Sequence, residues 1–465
     1  MIRFFNTLSG KLEPFHPLKK GEVKLYTCGP TVYDHAHIGN FRAYAFEDLL
    51  KRFLVFMGYK VTHVMNITDV DDKTIKGAHS EGISLQEYTK KYIDSFFKDI
   101  DTLRMARADH YPRATEHIPE MIQMIKGLME KGYAYAKDGS IYFSIAKFPN
   151  YGRLSKINLK ELKPGERVEL DEYEKDNIID FALWKHKKEG EPFWETEVGP
   201  GRPGWHIECS VMSSKYLGET FDIHCGGTDN IFPHHENEIA QSEAYFGKKF
   251  VNYWLHCRHL IVDGEKMSKS LGNQYTMRDL LEKNIDPLVI RFLLISTHYR
   301  KMLNFTFKAL EQASASLGRM KDFLYELKNH PFKNGENKNV AQIIEKTRKN
   351  FAEGLGDDLN ISVALRALFE MIRKVNSFIG KGKIFKKDAE NLTDLIRCFD
   401  TVLAVLPEEK EDILPEEIMI KINEREKARR DRNFELADRI RDQLAKEGIV
   451  LEDTKDGVRW KKVRT

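Results

Sequence analysis

One pattern near the start of the chain limits the fold more than any other. Glu22 to Thr27 alternates polar and apolar side chains and runs into Cys28-Gly29-Pro30. That reads as a strand stopped by a turn. Phe46, Leu49, Leu50, Phe53, Leu54 and Met57 then recur at helical spacing, which predicts a helix beginning near Asn40. Gly58 ends it, and Lys60 to Ile67 is rich in β-branched residues, as a second strand would be. Strand, helix, strand is a βαβ unit, and it demands a parallel sheet with a right-handed crossover. Strand-like runs return around Phe221 to Cys225 and Leu255 to Val262. The sheet is therefore expected to be split by an insertion.

The rest of the chain divides by texture. At 465 residues it holds roughly three domains' worth of sequence, at ~150 residues each. The expected parts are a first half of a Rossmann-like α/β catalytic domain (1–110), an insertion (111–200), the second half (201–303), an all-α helical bundle (304–406) and a small C-terminal unit (407–465). Net charge is only +3, with 41% hydrophobic and 11% aromatic residues. Those values exclude a disordered chain and a histone-like polycation. Any nucleic-acid binding has to come from local patches. No apolar core follows Met1 to Asn6, and no run approaches ~18 apolar residues, so neither a secretory leader nor a membrane span is expected. The five cysteines are sparse and odd in number, which is no disulfide framework. A cytoplasmic protein is the expectation.

His35-Ala36-His37-Ile38-Gly39-Asn40 lies between the first strand and its helix. This is where parallel sheets bind ligands. Gly39 would let a nucleotide approach the backbone, the helix N-terminus offers free N–H groups to phosphates, and His35 and His37 can donate to phosphate oxygens. Equally, Asn40 could simply cap the helix above two surface histidines. About 230 residues later comes Lys266-Met267-Ser268-Lys269-Ser270, two lysines around small hydroxyl residues. Alone it would pass for a solvated basic turn. In that order and spacing the two segments resemble the paired motifs of class I aminoacyl-tRNA synthetases. The resemblance implies adenylate formation, with His37 stabilising charge near the α-phosphate and Lys266 and Lys269 holding the β- and γ-phosphates. The first motif commonly ends in histidine; here Asn40 stands there, able to donate a hydrogen bond but not to carry charge.

A second concentration of chemistry is His234-His235-Glu236-Asn237-Glu238. If helical, His234 and Glu238 share one face and make half of a metal site, while His235 and Glu236 point elsewhere. Cysteine would complete it. Spacing does not choose among Cys28, Cys209, Cys225 and Cys257, although Cys28 ends the first strand beside the expected nucleotide. Inert buried thiols remain the other reading.

Longer segments narrow the resemblance. Thr27 to Asn40, Asn66 to Lys73 (NITDVDDK), Gly201 to Ser210 (GRPGWHIECS), Phe221 to Ala240, Tyr253 to Asn273 and Gly448 to Trp460 are all similar to cysteinyl-tRNA synthetases. The similarity spans essentially the whole chain. It implies one zinc ion held by Cys28, Cys209, His234 and Glu238, leaving Cys225 and Cys257 as non-ligands. It implies an ATP site including Gly29, His37, Gly39, Asn40, Gly227, Lys266, Met267 and Lys269, with His224 near the adenosine and Mg2+ accompanying the nucleotide. For L-cysteine it implies Cys28 and Gly29, walls from Thr68 and Trp205, and Asp229 as partner of the ammonium group. It implies that the C-terminal unit binds tRNA(Cys), with Arg425, Arg429 and Arg439 on a helical hairpin and Trp460 as a stacking platform. A monomer is the family expectation.

The implied zinc has a physical logic. Cysteine and serine differ by one atom, and a pocket judging size alone yields only ~1–3 kcal/mol. A soft thiolate is a good zinc ligand and a serine hydroxyl is not, so the metal can select and no editing domain is needed. Two alternatives stay in view: a ligase joining activated cysteine to a small amine, which would lack residues 304–465, and a non-enzymatic zinc protein that binds RNA.

Overall fold

In the computed structural model, residues 1–157, 180–268, 271–407, 416–454 and 457–462 are described, with the backbone alone for 416, 452–454, 457 and 459–462. A short antiparallel hairpin, β1 (Arg3–Asn6) and β2 (Lys11–Pro14), precedes the strand read from the sequence. That strand is β3 (Glu22–Thr27), followed by α1 (Ile38–Phe56) and by β4 (Lys60–Met65), parallel to β3. The apolar stripe of α1 is buried throughout from Phe46 to Leu54. The helix starts two residues before Asn40 because His37 is its cap. The His37 Nδ1 accepts the Asn40 N–H at 3.3 Å while Asn40 Oδ1 accepts the His37 N–H at 3.1 Å, a reciprocal capping box.

Two helices follow, α2 (Asp72–Glu81) and α3 (Leu85–Thr102). The insertion brings α4 (Ile118–Glu130) and an antiparallel sheet of β5 (Ala134–Lys137), β6 (Ser140–Phe143), β7 (Phe181–His186) and β8 (Gly201–Pro203). The chain then resumes the core with α5 (Trp205–Leu217), β9 (Phe221–Gly227), α6 (Glu236–Phe246) and β10 (Val251–Cys257). The core sheet runs β10-β9-β3-β4, all parallel. Its two faces follow the period of two. Leu25, Ile223 and Leu255 share a buried cluster with Phe46 and Leu50 of α1. Tyr26 and Trp254 share another with Leu217 of α5 and Ile239 of α6.

Beyond the sheet come β11 (Leu260–Val262), β12 (Glu265–Lys266), α7 (Met277–Glu282), α8 (Pro287–Ser296) and β13 (Leu303–Phe305). β11 pairs antiparallel with β12 and parallel with β13. Four helices form the bundle: α9 (Phe307–Asn329), α10 (Lys338–Gly356), α11 (Ile361–Ile379) and α12 (Lys386–Leu403). All of this belongs to one unit, Met1–Leu406; Pro407–Thr465 is a second. The second unit contains α13 (Glu416–Arg430), α14 (Phe434–Lys446) and the hairpin of β14 (Ile449–Thr454) with β15 (Gly457–Lys462). Its small core gathers Ile422, Ile440, Leu444, Ile449 and Leu451. Among the described residues no helix is long and apolar enough to cross a membrane.

Candidate active site and metal centre

The chain runs from β3 to its neighbour β4 and later returns as β9 on the other side of β3. That reversal is a topological switch point, where open α/β sheets bind ligands at the carboxyl ends of their strands. A cleft of about 2100 Å³ opens there. It is lined by Gly29, His37, Gly39, Asn40, Gly227, Lys266 and Met267 of the implied nucleotide set, and by Cys28, Thr68, Trp205 and Asp229 of the implied amino-acid set.

On the α5–α6 face of the sheet lies a largely buried cluster. Cys28 follows β3, Cys209 lies in α5, His234 sits just before α6 and Glu238 in its first turn. One ligand atom from each of the four lies within 4.8 Å of the others. Cys28, His224, His235 and Glu238 meet the same limit, so two tetrads share two members. Here the structure corrects the sequence reading, because His235 does not point elsewhere: its Nε2 is 3.2 Å from Cys28 Sγ. Gly226 makes the room, since a Cβ there would lie 2.7 Å from His235 Cε1. Glu236 does turn away, accepting N–H groups of Gly152, Leu154 and Ser155 at 2.9, 3.0 and 2.7 Å.

Hydrogen bonding separates the tetrads. The His224 Nε2 meets Glu238 Oε2 at 2.9 Å, and the His235 Nδ1 meets His256 Nε2 at 2.8 Å. His224 has both nitrogens engaged, its Nδ1 lying 3.2 Å from Cys225 O, whereas His235, like His234, keeps its Nε2 toward the cluster; it is His224 that disfavours the second tetrad. His234 uses its Nδ1 on His206 Nδ1 (2.9 Å), which leaves its Nε2 toward the cluster, 3.0 Å from Glu238 Oε1. That oxygen is buried and accepts no hydrogen bond. An orphaned carboxylate oxygen beside two thiols and one imidazole nitrogen is a donor set suited to a metal cation, with His224 and His206 orienting two of the ligands.

The electrostatics agree. Burial alone would raise Glu238, but His224 and His234 outweigh it and hold the carboxyl at about 2. Burial would likewise raise Cys209, yet the hydrogen bond from Cys28 and the nearby His234 bring it down to about 6, while burial pushes the Cys28 thiol well up. Burial would lower His234, but Cys209 and Glu238 lift it to about 10. Cys209 and Glu238 are thus favoured as anions, and the positive charge that balances them here is the His234 imidazolium, which a metal cation would replace. Trp205 lies where the cluster meets the cleft, stacked on His234 with ring centroids 4.2 Å apart. Thr68 is buried beside it, donating to Glu208 Oε2 at 2.9 Å.

The α1 face carries the phosphate-side groups. Because His37 Nδ1 accepts from Asn40, the neutral ring carries its proton on Nε2. The Ile38 N–H donates to Tyr275 O at 2.9 Å, so the start of α1 is stitched to the chain just past the second motif. A Cβ on Gly39 would lie 2.6 Å from Met267 Cε. The two motifs therefore touch. Lys266 is exposed at the end of β12, and Asn273 closes the loop behind it by accepting the Ser268 N–H at 2.8 Å and donating to Lys266 O at 3.3 Å. The Asp229 carboxylate folds over Gly227, where a Cβ would meet its Oδ1 at 2.2 Å.

Two further sequence expectations change, those for His224 and Arg425. His224 does not line the cleft; it projects from β9 to the α5–α6 face and is buried against Glu238. His35 stays on the cleft wall, with its Nδ1 2.8 Å from Ser95 Oγ. In the C-terminal unit Arg425 is buried (2% exposed) and paired with Glu426 at 3.1 Å. Its burial takes it off the open surface on which a tRNA contact was expected. Arg429 and Arg439 are exposed. Lys269 and the Trp460 side chain lie outside the described residues. The histidine chain of His206, His224, His235 and His256 was missed by sequence reasoning. The one available hint was His224 at alternate phase to Cys225 on a strand.

Residues 14–315 match the family described as tRNA synthetases class I (C) catalytic domain, residues 350–407 the DALR domain, and residues 414–460 the cysteinyl-tRNA ligase anticodon binding domain. The chain is 51% identical over 473 residues to a cysteine–tRNA ligase of Chlamydia muridarum, covering 99% of each chain. It is 50% identical over 463 residues to that of Solibacter usitatus, again covering 99% of both. Among solved structures, the methionyl-tRNA synthetase of Mycobacterium tuberculosis with methionyl-adenylate aligns over 82% of this chain and 89% of its own, with a TM-score of 0.61 at 15% identity. A leucyl-tRNA synthetase of Agrobacterium radiobacter aligns over 84% and 85% with a TM-score of 0.59 at 12% identity. At such identities these two bear on the fold alone.

Proposed function

This chain belongs to the cysteinyl-tRNA synthetases, class I enzymes that activate L-cysteine with ATP and transfer it to tRNA(Cys), and from that premise we propose how its cleft divides the work. Cys28, Cys209, His234 and Glu238 hold one zinc ion on the α5–α6 face. When bound, zinc supplies a soft Lewis acid that takes the substrate sulfur as thiolate and has little affinity for a hydroxyl. Trp205 and Thr68 wall the side chain, and Asp229 receives the ammonium group. The observation that carries this reading is the ligand tetrad at the edge of a cleft that also holds both phosphate motifs.

The cysteine carboxylate attacks the α-phosphate of ATP and pyrophosphate leaves. Positioning and charge neutralisation dominate such a step. His37 donates from Nε2 toward the α-phosphate. The positive end of the α1 dipole adds to the field, although the Ile38 and Asn40 N–H groups are already engaged by Tyr275 and His37. Asn40 spends its carbonyl oxygen on the capping box, so what it offers the nucleotide is its amide N–H. Gly29, Gly39 and Gly227 let the nucleotide reach the backbone. Lys266 and Lys269 neutralise the β- and γ-phosphates, Met267 packs the motif onto Gly39, and Mg2+ accompanies ATP. A terminal hydroxyl of tRNA(Cys) then attacks the adenylate carbonyl and AMP leaves. Arg429, Arg439 and Trp460 of the C-terminal unit contact the tRNA; Arg425 supports that unit from within. The enzyme works in the cytoplasm as a monomer, with the parts bounded at 110, 200, 303 and 406. Residues 304–465 are what disfavour a small-amine acceptor.

Cysteine-dependent ATP–pyrophosphate exchange, run beside tRNA cysteinylation, tests the assignment. Exchange should be strong with cysteine and at least about a hundredfold weaker with serine. Deleting 418–465 should leave exchange intact and cripple charging. Equal loss of both, or equal use of serine, would refute this division of labour.

A further inference from the structure

We propose that Asp358, in the turn between α10 and α11 of the bundle, is a positioning residue for ATP. It clamps the stretch of chain against which the hairpin carrying Lys266 and Met267 is built. The proposal rests on reading that hairpin as the phosphate clamp.

The clamp is specific. Asp358 is 3% exposed, and its carboxylate accepts from three groups at two distant places in the chain. The Phe5 N–H of β1 donates at 2.8 Å, the Tyr299 hydroxyl at 2.5 Å and the Arg300 Nε at 2.6 Å. Its own N–H donates to Arg3 O at 2.9 Å. Asp358 and Leu359 both adopt left-handed backbone, with φ of +59° and +53°. Two successive non-glycine residues in that region are costly. They persist only where surrounding contacts over-determine them, and such strain gathers where geometry matters.

From Asp358 the contacts lead into the cleft. The Tyr299 ring stacks on Phe46 of α1 with centroids 4.4 Å apart, and its carbonyl accepts the Arg258 N–H at 2.8 Å. Arg258 and His259 line the cleft. Three residues past Arg300, β13 runs parallel to β11, with Leu303, Asn304 and Phe305 opposite Leu260, Ile261 and Val262. β13 also reaches the tip of the hairpin. Phe305 O accepts the Asp263 N–H at 3.1 Å, and Asn304 Oδ1 accepts the Gly264 N–H at 2.9 Å. Lys266 thus stands on a hairpin whose outer support is anchored at Tyr299 and Arg300 by one carboxylate. If that anchor loosens, the hairpin loses the seat in which Met267 rests against Gly39, and Lys266 beside it loses its position on the cleft. The metal cluster on the opposite face of the sheet does not.

The test is exchange kinetics on the full chain with ATP and cysteine varied separately, beside metal content and the thermal midpoint. For Asp358→Asn, KM for ATP should rise about tenfold, while KM for cysteine and bound metal stay unchanged. Tyr299→Phe, which deletes one bond, should shift KM for ATP the same way by about threefold. If Asp358→Asn does not fold, Tyr299→Phe decides. A lower midpoint with both KM values unchanged, or an equal rise in both, overturns the proposal. Lys266→Ala is the separate control: if it leaves KM for ATP unaltered, the reading of the hairpin fails rather than that of Asp358.

Discussion

The two faces of the core sheet treat charge in opposite ways. On the α5–α6 face Cys209, His234 and Glu238 are almost wholly buried, and the imidazoles around them are tied into a hydrogen-bonded chain. On the α1 face Lys266 is exposed and the Asp229 side chain is 69% exposed. The difference follows from the tasks. Telling a thiol from a hydroxyl needs ligands that cannot rearrange, and a buried site makes each charge count several-fold more than in water. Holding and releasing a polyphosphate on every turnover needs cations that water can screen. A cluster as rigid as the first would retain pyrophosphate.

The contrast breaks most severely at the metal. Cys209→Ser should abolish metal binding and lower cysteine activation by more than about a hundredfold, read as metal content and exchange rate. Full activity without metal would mean that the buried face does not select. A smaller effect is expected from Gly39→Ala, whose Cβ would press on Met267 Cε at 2.6 Å. KM for ATP should rise about tenfold with metal content unchanged, since small misplacements are expensive in positioned chemistry. Met267→Ala in the same chain should restore part of it. No recovery would show that the two motifs do not meet as described.

The mildest probe is pH. Glu47 of α1 is buried beneath the cleft with neither carboxylate oxygen hydrogen-bonded. Burial pushes its carboxyl from 4.5 up to about 8, against a small opposing pull from the Thr27 hydroxyl. The folded chain then holds a proton that the unfolded chain releases. Glu47 therefore contributes stability that is fully present below about pH 4.5 and is lost as pH rises through about 8, at up to about 1.4 kcal/mol per pH unit. Glu47→Gln should flatten that slope, so its urea midpoint should exceed that of the unaltered chain at pH 8 but not at pH 5. Parallel curves for the two proteins would show that Glu47 is not buried as a neutral acid.

Much of the frame was legible beforehand. β3 begins and ends at the predicted residues, since strict alternation and a Cys-Gly-Pro stop are local signals. The α/β core, the interrupting insertion and the helical bundle likewise follow from hydrophobic period. The pairing of His234 with Glu238 was legible from i, i+4 spacing, but the choice of Cys28 and Cys209 came only through resemblance, because they lie far from that pair in the chain. The start of α1 was misplaced because a histidine cap is uncommon where Asn40 offered itself. Arg425 was misread because a charged helix with interleaved acids does not announce which face is inward.

Period and punctuation travel with neighbouring residues, so local sequence was enough for strand, helix and the order of the parts. Which imidazole holds which ligand, that His235 faces Cys28 and that Met267 rests on Gly39 depend on strands and helices brought together from distant points in the chain. Those contacts exist only once packing has set the approach of β3, α5 and α6 on one face and of α1 and the Lys266 hairpin on the other. The same holds for Asp358: its composition is that of any acidic turn residue, and its three partners come from β1, from Tyr299 and from Arg300.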